Sequence, residues 1–236
     1  MNDHWSRRRI IRVTGLSAGL WLLGASDAAP VAPAAAEADE TAAEEEEISP
    51  TEDLMREHGI LQRVLLIYET GLDRLNDKAQ SPVTGIAGGA SIVRRFIEDY
   101  HEKQEEDFVF PRLEQAGKLT DLVATLRAQH QRGRQLTDTI QQLCTTAAAT
   151  DDRGRRRLAD ALHTFIRMYR PHAAREDTVL FPAFHRLLSE HQLAELGEQF
   201  EEREHRRFGE RGFAQIVADV AGLEQELGIG DLARFT

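Results

Sequence analysis

The sequence predicts an all-α fold: an antiparallel up-down bundle of four helices with an additional C-terminal helix. Three observations predict it. From Thr51 onward apolar residues recur at helical spacing and no strand alternation persists. The helical stretches are long and joined by short loops, so neighbours pack antiparallel. Finally, HEKQEEDFVFP at 101 to 111 is echoed by HAAREDTVLFP at 172 to 182, as two halves of one architecture would be.

The chain has 236 residues, enough for one domain with a sizeable core plus extra segments. A hydrophobic content of 41% with 29% charged residues describes a globular protein. The formal charge of −11 argues against nucleic acid, which requires a surplus of Lys and Arg on one face. The basic run Arg153 to Arg157 sits among acids and reads as a solvated helix start. A lone cysteine, Cys144, gives neither an internal disulfide nor a thiolate metal cluster.

The first 28 residues read as an export signal. A polar, basic stretch ending at Arg12 precedes an apolar segment, Val13 to Ala25, too short for a spanning helix of ~20 residues. Small residues follow, with Ser26-Asp27-Ala28 or Ala34-Ala35-Ala36 as cleavage sites. Ser6-Arg7-Arg8-Arg9-Ile10-Ile11-Arg12 resembles a twin-arginine signal, which implies the twin-arginine machinery as a partner and the bacterial periplasm or extracytoplasmic space as destination. An ordinary secretory signal or uncleaved basic anchor is the alternative. That export route carries folded proteins, often with a cofactor loaded. Residues 29–50, rich in Ala, Pro and Glu, read as an acidic tether outside the fold.

The elements follow in order. Leu54, Leu61, Leu65 and Tyr68 line one face of a first helix, capped by Ser49 or Thr51 and ending between Gly71 and Lys78. Ser81 to Gly89, SPVTGIAGG, reads as a loop from its Pro and Gly content. A second helix is expected from Ala90 to Gly117, a third from Thr120 to Thr146 and a fourth from Arg153 to Ser189. Pro111, Pro171 and Pro182 should each kink a helix or mark a junction. A fifth helix over 194–226, broken near Gly209 to Gly212, packs outside a bundle domain of residues 51–190, within an extension of 191–236.

Within this frame the repeat carries chemistry. In each HxxxE the imidazole and carboxylate share a helix face. His58 precedes His101 by 43 residues and His130 precedes His172 by 42, so each half contributes one lone histidine and one HxxxE. Folded antiparallel, the bundle brings together His58, His101, Glu105, His130, His172 and Glu176. That set suits two metal ions, each with two or three protein ligands and a bridging carboxylate. Imidazole with carboxylate admits iron, manganese or zinc. A third HxxxE, His191 with Glu195, lacks the Phe-Pro sequel. His163 and His205 read as surface residues, and His185 lies ~20 Å along a straight helix from His172. Glu106 and Asp177 read either as acceptors for ligand imidazoles or as ordinary helix charges. Tyr68, Tyr100 and Tyr169 are core candidates.

His58, His101 with Glu105, His130, and His172 with Glu176 resemble the H…HxxxE…H…HxxxE pattern of hemerythrin-like HHE cation-binding domains, over roughly residues 51 to 190. The resemblance implies two iron ions, a non-haem pair with an oxo or hydroxo bridge, spanned by Glu105 and Glu176 and capped by the histidines; manganese or zinc come second. The oxygen-carrying members have a further histidine four residues from the third-helix ligand, where this chain has Leu126 and Arg134. That departure implies an open position that binds or reacts with peroxide, oxygen or nitric oxide, a possible di-iron oxidoreductase. The alternative is an oxygen, nitric oxide or iron binding, storage or sensing protein without turnover. Iron donation for cluster repair fits poorly with export, and a purely structural bundle would bind nothing.

Overall fold

The computed structural model describes residues 48–75, 82–145 and 151–236. The export signal and nearly all of the acidic tether therefore lie outside the described residues, which are helical and contain no strand. No helix among them is long and apolar enough to cross a membrane.

Helix α1 (Pro50–Arg74) opens with a capping box: Glu52 donates its backbone N–H to Ser49 Oγ at 3.3 Å, and Ser49 donates its own to Glu52 Oε2 at 2.9 Å. Pro50 occupies the first turn, where its missing N–H costs nothing. Of the two candidate caps, Ser49 is the one used.

Helix α2 runs over 83–115, seven residues earlier than the expected start at Ala90. The glycines of SPVTGIAGG are helical from Val83 and serve close packing rather than a turn. A Cβ at Gly88 would meet Leu223 at 2.6 Å, and one at Gly89 would meet Tyr68 at 3.0 Å. Composition alone cannot distinguish a glycine that bends the chain from one that admits a neighbour.

Helix α3 is Thr120–Thr145 and helix α4 covers 152–185, with Asp151 capping its start by accepting the Gly154 N–H at 2.6 Å. The expected fifth helix is two helices, α5 (Glu190–Phe208) and α6 (Gly212–Glu226), followed by a short 3-10 turn (Leu232–Phe235). A Ser189–Gln192 capping box starts α5 four residues before Ala194. The expected break near Gly209 separates α5 from α6.

Apolar side chains form two clusters. One contains Tyr68, Phe96, Ile140 and Phe165; the other contains Leu54, Phe110, Leu126 and Phe181. In α1 and α3 the second cluster's residues precede His58 and His130; in α2 and α4 they follow His101 and His172. The histidines thus lie along each helix between two dry layers. Burying each large apolar side chain contributes about 1.5–3 kcal/mol. The α5–α6 pair packs against α1 and α2: Phe208 lies edge-on to Tyr100 at 5.1 Å, Arg207 pairs with Asp99 at 3.2 Å and Arg63 with Glu224 at 2.5 Å.

Candidate metal centre

One helix supplies each histidine: α1 His58, α2 His101, α3 His130 and α4 His172. Helices α2 and α4 add Glu105 and Glu176. None of the six is more than 4% exposed. They form two groups, His58 with His101 and Glu105, and His130 with His172 and Glu176, within each of which the ligating atoms lie within 4.8 Å of one another. The carboxylates connect the groups. Glu105 Oε2 lies 3.7 Å from His101 Nε2 and 3.4 Å from His130 Nε2. Glu176 Oε2 lies 3.0 Å from His172 Nε2 and 3.3 Å from His58 Nε2.

Every Nε2 faces inward because every Nδ1 is engaged elsewhere. His101 Nδ1 lies 2.7 Å from Glu57 and His172 Nδ1 lies 2.9 Å from Gln129, each acceptor coming from the same half of the repeat. His58 Nδ1 lies 2.6 Å from Asp177 and His130 Nδ1 lies 3.1 Å from Glu106, each acceptor coming from the opposite half. These acceptors hold Nδ1–H and free Nε2 for a metal. The Phe-Pro sequels follow the same symmetry: Phe181 stacks on His58 at 5.6 Å and Phe110 on His130 at 5.4 Å.

The backbone widens where the carboxylates stand. Glu105–Val109 and Glu176–Leu180 are π-turns, in which the N–H of Phe110 and Phe181 reaches back five residues to Glu105 and Glu176. Such turns concentrate at functional sites. Pro111 and Pro182 follow directly and mark the return to α-helix, whereas Pro171 sits inside an uninterrupted α segment (Asp152–Arg175).

Burial opposes charge throughout the centre. It pushes His130 down to about 4, only partly resisted by Glu106 and Glu176, and it lowers His101 despite Glu57. At His58 burial also lowers, but Asp177 and Glu176 outweigh it and hold the imidazole at about 9. Burial and the neighbouring Glu176 charge raise Glu105, while His172 and His58 overcome burial and lower Glu176. Both oxygens of Glu105, both of Glu176, and His130 Nε2 are buried without a hydrogen bond. Orphaned acceptors facing imidazole nitrogens across 3.0–4.0 Å are what a cation would satisfy. The donor set fits a metal, and a cation would also cancel the repulsion between the two carboxylates.

All six residues singled out by the repeat meet here. His163 and His205 are exposed, and His191 pairs with Glu195 at 3.6 Å with its side chain 81% exposed. His185 contacts Thr51 at 3.2 Å. Leu126 is buried in the second apolar cluster, and Arg134 pairs with Glu102 and Glu106 at 2.7 and 2.8 Å. Sequence reasoning missed Glu57, Gln129 and Glu102, and named Tyr169 only as a core candidate. Glu57 and Gln129 stand immediately before the lone histidines of the two halves, so extending the repeat by one residue would have found them. Tyr169 lies edge-on to His172 at 5.3 Å and donates to Glu102 at 2.7 Å. No counterpart in the repeat flags that pair.

An all-helical fold enclosing paired His/His/Glu groups defines a helical metal-binding protein. The hemerythrin HHE cation-binding domain family matches residues 49–184, and the chain belongs to that family. Uncharacterized proteins of Mycobacterium tuberculosis strain H37Rv and of Mycobacterium bovis are each 49% identical to it over 230 residues, covering 98% of this chain and 90% of theirs. No solved structure matches it.

Proposed function

We propose that the protein holds two iron ions between its helices and reacts with a small oxidant: peroxide, oxygen or nitric oxide. The observation that carries this reading is the pair of buried His/His/Glu groups with both carboxylates unsatisfied between them. Two imidazoles and one carboxylate with open positions are the ligand pattern of oxygen-reactive non-haem iron. In this reading His58, His101 and Glu105 would hold one ion and His130, His172 and Glu176 the other, with Glu105 Oε2 and Glu176 Oε2 each within 3.7 Å of an imidazole of both groups. The alternating order of the apolar clusters along α1 to α4 supports an antiparallel up-down bundle around them.

The bound ions would supply the redox chemistry. The chain's own residues orient and insulate. Glu57, Gln129, Glu106 and Asp177 keep the four imidazoles in one tautomer, and the stacked Phe110 and Phe181 keep water from two of them. Leu126, one turn before His130 on α3, adds no ligand atom, which would leave a position on one ion open to a small molecule. The N-terminal arginines extend the proposal to a protein exported folded, with its metals loaded.

Metal analysis of purified full-length protein, followed by peroxide and nitric oxide consumption assays, tests this reading. About two irons per chain and many turnovers are expected. A stoichiometric, reversible adduct would instead favour binding or sensing. His101→Ala and Glu176→Ala should lose most of the metal and His191→Ala none; unchanged metal in the first two would refute the ligand assignment.

A further inference from the structure

Beside the centre, between α2 and α3, lies a third group of ligating side chains. Glu102, Glu106 and His130 offer atoms that lie within 4.8 Å of one another. One imidazole and two carboxylates would accept a divalent cation. The chain already supplies a cation there. Arg134 Nη2 lies 2.7 Å from Glu102 Oε2 and 2.8 Å from Glu106 Oε1, and Glu106 Oε1 in turn lies 3.1 Å from His130 Nδ1.

This group has no counterpart in the other half. The repeat puts Ala173 where Glu102 stands, and the exposed Gln62 where Arg134 stands. Asp177, which corresponds to Glu106, therefore meets His58 without a second carboxylate or a guanidinium beside it. The asymmetry needs a reason, since Glu102 is only 1% exposed and a buried acid is costly. Tyr169 donates to its Oε1 at 2.7 Å, and the Arg134 charge lies 2.7 Å from its Oε2, which has no hydrogen bond of its own.

We propose that Arg134 is a built-in cation: it fills the third ligand group, limits the chain to two metal ions and keeps Glu106 on His130. A metal in its place would take His130 through Nδ1, which requires removing the Nδ1 proton and would leave one imidazole shared between two ions. A guanidinium does neither. It is permanently charged, brings its Nη2 within 2.8 Å of both carboxylates while hydrogen-bonding Glu106, and cannot take an electron pair from the imidazole. Because Arg134 is one helical turn beyond His130, α3 carries both the ligand and the group that guards its outer nitrogen. Arg134 is thus a positioning residue, acting on the centre through Glu106.

The inference rests on the two-ion reading above. The test strips full-length wild-type, Arg134→Met and Arg134→Lys proteins of metal and titrates each with Mn(II), counting bound ions by equilibrium dialysis. Wild type and Arg134→Lys should bind about two ions per chain and Arg134→Met about three. The same count in Arg134→Met as in wild type would overturn the built-in cation, whereas no ion in wild type would overturn the two-ion reading. Arg134→Gln, which retains a donor for Glu106 but no charge, replaces the Met variant should that fail to fold. A merely structural arginine would lower stability on removal without adding a binding site.

Discussion

His58 shows how one contact sets a residue's chemistry. Burial alone would lower its basicity, yet Asp177 and Glu176 hold it at about 9 against 6.5 for the free side chain. In the metal-free protein the folded state therefore keeps a proton that the unfolded chain releases between those values. That stabilisation is fully present below pH 6.5 and is lost as pH rises through 9. Asp177→Asn removes a hydrogen bond to a charged group, which contributes about 1.5–3 kcal/mol. The metal-free variant should melt roughly 3–12 °C below its parent at pH 6, with the gap closing above pH 9. Thermal melts across that range check this, and a pH-independent gap would mean that Asp177 acts otherwise. Cys144, by contrast, has its thiol pushed up to about 11 by burial and takes no part in the centre.

At the scale of elements, α3 and α4 meet where Gly133 makes room for Tyr169. A Cβ at Gly133 would lie 1.9 Å from the Tyr169 hydroxyl oxygen, the group that donates to Glu102. Gly133→Ala gains about 1 kcal/mol of helix propensity, but overpacking costs about 1–3 kcal/mol and displacing the hydroxyl leaves a buried acceptor unsatisfied, at about 1–3 kcal/mol more. Overpacking wins, so denaturant melts should show net destabilisation. Tyr169→Phe added to Gly133→Ala should recover part of the overpacking loss, because the nearest clashing atom, the hydroxyl oxygen, is gone while ring carbons at 2.7 and 2.9 Å remain and Glu102 stays unsatisfied. Additive losses would place the cost elsewhere on the helix.

The helices themselves were legible from periodicity, and the six core His and Glu residues from the repeat. The start of α2 was not, because glycines at 85, 88 and 89 carry the same letters whether they turn a chain or admit Leu227, Leu223 and Tyr68. Nor were the π-turns, which depend on a backbone bond reaching back five residues rather than on side-chain pattern. The pairing of Glu102 with Tyr169 escaped because it crosses from α2 to α4, over 67 residues, with no echo in the other half.

For the whole molecule, the centre sits between two apolar clusters and its ligands come from four helices, so metal and fold should stand or fall together. Ions that bind only the folded state stabilise it by about 2.7 kcal/mol at a hundredfold excess over Kd, which fits a chain whose one cysteine can form no internal disulfide. The proposed export makes a cellular prediction: replacing Arg7 and Arg8 with Lys should shift the protein from the extracytoplasmic to the cytoplasmic fraction. Unchanged fractionation on immunoblots would remove the twin-arginine route.

The crossed contacts of the centre bear on ancestry. Asp177 steadies His58 and Glu106 steadies His130, while Phe181 and Phe110 cover the imidazoles of the opposite half in the same sense. That is the bonding of a twofold dimer written along a single chain. A helical hairpin like either half would possess a finished site only by pairing with its own copy. The side holding Glu102 and Arg134 is where that twofold pattern of contacts is broken.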